Sequence, residues 1–224
     1  RIPGASLLRR QIDSASTAKA DANAAMRRAA TGFSPRALQA LLAFAGFGCC
    51  MAMAMPQVHI VALCIDRGFS ATAGGQMLSL MLIGGVTSRL ISGWAADRIG
   101  GLPVLLIGSV LQTAALCLFL IEGGLSSLFL VSAIFGLSQG GIVPSYAIIV
   151  REYMPPKEAG RRVGVVMFAT IVGMAVGGWS SGWLFDLSGS YKLALWHGIG
   201  WNLVNAAIVL MILFRLGHPS PKPA

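Results

Sequence analysis

The sequence predicts an all-α polytopic membrane protein with six transmembrane helices forming one bundle, and three observations lead there. Of its 224 residues 55% are apolar and only 11% charged, with a mean hydropathy of +0.73; a soluble domain carries roughly twice that charge. The apolar residues come in long blocks separated by short polar joints, the pattern of a chain that crosses a bilayer repeatedly. The Lys and Arg residues outside those blocks fall on alternate joints, so one side of the array collects nearly all of them.

The elements follow in chain order. Residues 1–36 are rich in Ala, Ser and basic side chains (Arg1, Arg9, Arg10, Lys19, Arg27, Arg28 and Arg36) and cannot span a bilayer. The alternatives for this stretch are a surface-lying helix and a disordered linker. Asp13, Asp21 and the absence of an initiator Met argue against a transit peptide, and the missing Met gives the expectation that the chain is a piece of a longer protein. Six apolar runs occupy 38–64, 73–95, 103–121, 126–149, 163–185 and 193–214. Each has the ~20 residues a helix needs to cross ~30 Å of hydrocarbon. Unpaired backbone groups are too costly in lipid for any other economical form. The predicted organisation is a basic cytoplasmic linker or amphipathic segment at 1–36, the bundle at 37–215, and a cytoplasmic tail at 216–224.

Charge sets the orientation. The linker, Arg98, the cluster Arg151, Lys157, Arg161 and Arg162, and the tail with Arg215 and Lys222 place fourteen basic residues on one side; the other side has Arg67 and Lys192. Cytoplasmic joints carry the positive excess, so both termini are expected in the cytoplasm, in a plasma membrane or a bacterial inner membrane. The net charge of +9 also invites a nucleic-acid reading. The basic residues sit in joints rather than beside aromatics on a soluble module, so no nucleic-acid partner is expected.

Chemistry is sparse. Cys49, Cys50, Cys64 and Cys117 lie within or at the ends of apolar runs without metal-ligand spacing, and read as small packing residues. His59, His197 and His218 are scattered. With no nucleophile–base pair, metal cluster or phosphate loop, neither an enzyme nor a cofactor is expected. Gly136 with Gly140, Gly173 with Gly177, and Gly178 with Gly182 are small-xxx-small pairs that let helices approach closely. Asn202 and Asn205 read as interhelical hydrogen-bond partners, and Trp179, Trp183 and Trp196 as an aromatic belt.

Arg89 is the exception. It stands eight residues before Asp97, about 12 Å along a helix axis, where a charge is tolerated only against a cavity or partner. One alternative is that its stem snorkels to the interface. All eight acids (Asp13, Asp21, Asp66, Asp97, Glu122, Glu152, Glu158 and Asp186) lie in joints, the linker or span ends, so none matches its depth. The sharper reading is an anion-binding cavity, because guanidinium forms bidentate pairs with carboxylates. Gln57 and His59 in the outer half of the first span are possible cavity contacts, with ordinary packing the alternative for the His. Gln139, beside Gly140 and Gly141 and shortly before Pro144, is either a cavity contact in an interrupted helix or part of a packed kink.

The stretch GWAADRIGG at 93–101 resembles the signature joint of the major facilitator superfamily, with Gly93, Asp97, Arg98 and Gly100 matching; Gly101, Leu102 and Pro103 stand where basic residues are expected. FGLSQGGIVPSYAIIVREYMPPKEAGRRVG and GGWSSGWLFDLSGSY look like helices four and five of the second half of such proteins. Arg89 and Gly93 are similar to a pair in the monocarboxylate and organic-anion transporter branch. There the Arg binds the substrate carboxylate, and an Asp often stands four residues earlier. Gly85 occupies that position here, so the proton-relay role of the Asp is not carried over.

The resemblance implies the C-terminal six-helix half of a twelve-helix secondary transporter, working by alternating access, often as a symporter, on small organic anions. Spans one, two, four and five would line the cavity. Arg89 would be the carboxylate clamp, Gln57, His59 and Gln139 cavity contacts, and Gly93, Asp97, Arg98 and Gly100 a cytoplasmic gate. The partners implied are the lipid bilayer, an N-terminal six-helix bundle on the same parent chain or a second subunit, and a small anionic substrate. The alternatives are a non-transporting interaction or regulatory fragment, and the same fold with a drug or sugar substrate.

Overall fold

The computed structural model describes residues 3–121 and 123–217, with side chains from residue 14 onward; the expected tail beyond Gly217 and the side chains of Arg9, Arg10, Asp13 and Glu122 lie outside the described residues. In order the helices are α1 (Pro3–Thr31), α2 (Pro35–Asp66), α3 (Ala71–Ile99), α4 (Gly101–Phe119), α5 (Leu125–Gln139), α6 (Ile142–Tyr153), α7 (Pro156–Ser188) and α8 (Tyr191–Gly217). Six stretches are long and apolar enough to cross a membrane, with α5 and α6 together forming one of them. All but α4, which is shifted by two residues, outrun their apolar runs. Ser34 and Ser70 each accept a hydrogen bond from the backbone N–H three residues on, and Pro35 takes the first helical position of α2. Gly100, at φ 86°, makes the sharp reversal between α3 and α4, a backbone region that glycine enters without strain.

Of the two alternatives for the first 36 residues, a helix forms. Its Thr17, Asp21, Ala24, Arg28 and Thr31 recur at helical spacing and are partly or fully buried, so this stripe faces the bundle. The Arg28 guanidinium donates to the carbonyl of Tyr153 at 3.3 Å. At the same end Arg215 of α8 lies over the Phe33 ring, 4.3 Å from its centroid. Buried Arg162 at the start of α7 donates to Glu158, to Gln39 and to the Pro35 carbonyl, tying α7 to the first turn of α2. The sequence did not betray this latch, since surface-like spacing hides which cations turn inward.

Apolar burial drives little helix association in lipid, so close backbone contact and internal hydrogen bonds must do more. Two glycine seams supply the contact. Along α2 and α7, a Cβ at Gly177 would stand 2.7 Å from the Met51 carbonyl oxygen, and one at Gly173 would strike that of Phe47. Along α3 and α5, a Cβ at Gly136 would stand 2.8 Å from Met81 Cα, and one at Gly84 3.2 Å from the Gly136 carbonyl carbon.

The hydrogen bonds form a buried net joining α4, α6 and α8. Asn202 Nδ2 donates to the Ser109 carbonyl (2.7 Å) and Thr113 Oγ1 (2.8 Å). Asn205 Nδ2 donates to Ser109 Oγ (2.8 Å), and Asn205 Oδ1 accepts from the Tyr146 hydroxyl at 2.7 Å. Both Asn are fully buried. Asn205→Leu removes three hydrogen bonds, to Ser109, Asn202 and Tyr146, and takes from the Tyr146 hydroxyl its Asn205 acceptor. The expected loss is about 1–2 kcal/mol, read as an earlier midpoint in reversible unfolding from mixed micelles.

Candidate functional site

The site is built where a proline-containing helix faces an interrupted one. Pro56 lies inside α2 and withdraws one backbone N–H from the helix. The fourth span breaks at Gly140 and Gly141 into α5 and α6. Across this level Gln57 Nε2 donates to Gln139 Oε1 at 2.5 Å, bridging residues 82 apart in sequence.

Beside the bridge a cavity of about 570 Å³ opens, lined from α2 by Cys50, Met53 and Gln57, from α3 by Gly85, Val86 and Arg89, and otherwise by the break and by Thr170 and Met174 of α7. Neither α4 nor α8 contributes to its lining. Arg89, Gln57 and Gln139 therefore meet in one space. Thr170 belongs to it too; a single hydroxyl in an apolar run gave no signal of that from sequence. Most of the wall is apolar, and Arg89 is the one ionisable guanidinium or carboxylate residue in the lining.

The helical phase of α3 explains the placement. Leu82, Gly85, Val86 and Arg89 share the face that lines the cavity, whereas Ile83, Leu90 and Trp94 lie on another that does not; large apolar side chains on both faces are exposed. Arg89 is exposed, and among the described residues it makes no hydrogen bond or ion pair. The snorkelling alternative needs a stem running towards the end of the helix. The Cα–Cβ bond of a helical residue tilts towards the helix N-terminus, and Arg89 lies in the lining of the cavity.

His59 needs correcting. It does not line the cavity: its Nε2 lies 2.9 Å from the Gly178 carbonyl of α7, and its ring packs against Tyr191 with centroids 5.6 Å apart. The reason is geometric, since residues two apart on a helix point about 200° apart, so Gln57 and His59 cannot share a face.

The expected gate residues gather at the α1 end of the bundle. Asp97, Arg98 and Gly100 line a second cavity of about 430 Å³ together with Arg27 and Glu152. Arg98 stacks over Trp94 at 4.4 Å. The carboxylate that serves the helix N-terminus here is Glu152, which accepts from the Gly101 N–H at 3.3 Å and so meets the first orphan donor of α4. Gly93 has open space around it.

Six helices long and apolar enough to cross a membrane, with a largely apolar, single-cation cavity among four of the spans, define the class: a polytopic α-helical membrane bundle. A family model described as Major Facilitator Superfamily matches residues 40–224, and the chain belongs to that family. It is 30% identical over 141 residues, 61% of this chain and 33% of the other, to "Probable anion transporter 5" of Arabidopsis thaliana. It is 28% identical over 161 residues, 70% and 37% of the two chains, to "Monocarboxylate transporter 13" of Rattus norvegicus. A crystal structure of the peptide transporter POT in complex with alafosfalin shares the fold, with a TM-score of 0.69 at 18% identity over 77% of this chain and 37% of that one. The chain spans about a third of the length of the curated relatives it matches.

Proposed function

We propose that the chain is the C-terminal half of a secondary transporter that carries small organic anions, monocarboxylates among them, by alternating access. The observation that carries this is Arg89: a guanidinium far from the helix end, without an internal counter-ion among the described residues, on the cavity face of α3. A cation kept in such a place costs several kcal/mol unless something neutralises it, and a substrate carboxylate does so in the geometry guanidinium favours. The names of the similar anion and monocarboxylate transporters support the same substrate class. A first six-helix bundle, from the same polypeptide or a second one, closes the open side of the cavity. The end that carries α1, Asp97 and Arg98 faces the cytoplasm, because the basic excess collects there. Asp97 and Arg98 hold the two bundles together at that end in the outward-open state.

The experiment is uptake of radiolabelled small carboxylates into proteoliposomes carrying both bundles. Saturable uptake of benzoate or lactate, undiminished by excess glucose or by lipophilic cations, is expected. Uptake of a sugar or a cationic drug instead would place the chain with another substrate class of the same fold. A chain that transports nothing and gains no stability from any carboxylate would be a non-transporting fragment.

A further inference from the structure

Gly85 leaves a gap where Arg89 and the glutamine bridge converge. A Cβ built there would meet Gln139 Nε2 at 3.8 Å and the Gly136 carbonyl at 4.0 Å, and nothing nearer. Position 85 lies one turn before Arg89, about 6 Å along the axis, and both residues line the same cavity. The Gln139 amide nitrogen bounds this gap directly, and Arg89 opens onto the same cavity one turn further along α3. Because Gln139 Oε1 is already occupied as an acceptor by Gln57 Nε2, the Gln139 amide turns its NH₂ group, and not its oxygen, towards the gap. Guanidinium and amide NH₂ are both donors only. Donors from two helices around an unfilled space make a seat for an acceptor-only group. Met53, Val86 and Met174 lie alongside in the same cavity, where they would meet an apolar body attached to that group.

We propose that this seat is a two-helix carboxylate site, in which Arg89 and Gln139 Nε2 donate to the same substrate carboxylate, Gly85 provides the room, and Gln57 is a positioning residue that fixes the Gln139 amide. The proposal rests on the anion-transport reading above and adds Gly85, Gln139 and Gln57 as its specificity-determining residues. A neutral isostere loses the charge-assisted bonds, so benzamide should not compete where benzoate binds.

The test is the KM and maximal rate for radiolabelled benzoate in proteoliposomes carrying both bundles, with insertion and thermal unfolding checked for each variant. Gln139→Leu should raise KM roughly tenfold, the loss of one charge-assisted hydrogen bond, and Gln139→Asn, which withdraws the donor by one methylene, should raise it less. Gly85→Val should raise KM by filling the seat. Gln57→Leu should raise KM with the maximal rate retained, and should add nothing on top of Gln139→Leu, since it acts through that residue. Additive effects of the two Gln variants would overturn the positioning role. Unchanged KM in Gln139→Leu and Gly85→Val, with Arg89→Gln still inactive, would overturn the seat and leave the clamp. Full uptake by Arg89→Gln would overturn both.

Discussion

Arg89→Gln should abolish carboxylate uptake while leaving the bundle folded. A bidentate guanidinium–carboxylate pair contributes two charge-assisted hydrogen bonds, about 3–5 kcal/mol in a water-poor site, and so a loss of at least a hundredfold in substrate affinity is expected. The fold has no corresponding claim on the side chain: Arg89 is exposed on the cavity face and makes no hydrogen bond or ion pair among the described residues. Removing an uncompensated charge from the membrane interior relieves a cost. The variant is therefore expected to unfold no earlier than the parent in mixed micelles, and by the same argument to be somewhat more stable. Arg89→Lys separates charge from shape. Lysine keeps the cation but offers a point charge instead of a planar fork, so a residual activity of about a tenth is expected, recovered in part at higher substrate concentration. The two measurements together are diagnostic. Loss of uptake with retained or raised stability identifies a side chain kept for its ligand, and loss of both identifies a structural one.

The parts of this arrangement that were legible in the sequence are those a single helix can express. The six spans follow from apolar length, and the alternation of basic joints fixes their number independently of hydropathy. The interruption at Gly140, Gly141 and Pro144 announced the break in the fourth span, and Arg89, singled out by its spacing from Asp97, lines the cavity. Asn202 and Asn205, read as interhelical partners, do join α8 to α4 and α6. What a single helix cannot express is which faces meet. The Gln57–Gln139 bridge joins positions in two different spans, and no periodicity within either span reports the other. Helical phase would have separated His59 from Gln57, because it is a property of one helix and needs no partner. Gly85 was noticed only for the acid it lacks, whereas its consequence is the space between α3 and α5, which exists only once those helices pack. The docking of α1 depended on Arg28, Ala24 and Thr31, three residues whose types do not distinguish a docked face from a solvated one.

Gly140→Ala should be among the most damaging of the single-methyl additions in the chain, for a reason that ties stability to the site. A Cβ at Gly140 would collide with the carbonyl oxygen of Gly85, and with its carbonyl carbon and Cα at 2.8 Å. These are backbone atoms of a continuous helix and cannot rotate aside as a side chain would, so α3 and α5 must separate along their seam. Overpacking of this kind costs about 1–3 kcal/mol. Gly93→Ala is the control. A Cβ there meets nothing within 4 Å, and replacing an interior helical glycine is expected to gain up to about 1 kcal/mol. The opposite signs of the two substitutions, measured by reversible unfolding, distinguish a tight helix crossing from a general tolerance of alanine. The crossing also sets the width of the space at Gly85 and the distance from Arg89 to Gln139. Gly140→Ala should therefore raise the KM for benzoate even in the fraction of protein that remains folded. Full stability with normal uptake in Gly140→Ala would mean that α3 and α5 do not meet backbone to backbone, and that the placement of Arg89 does not depend on their contact.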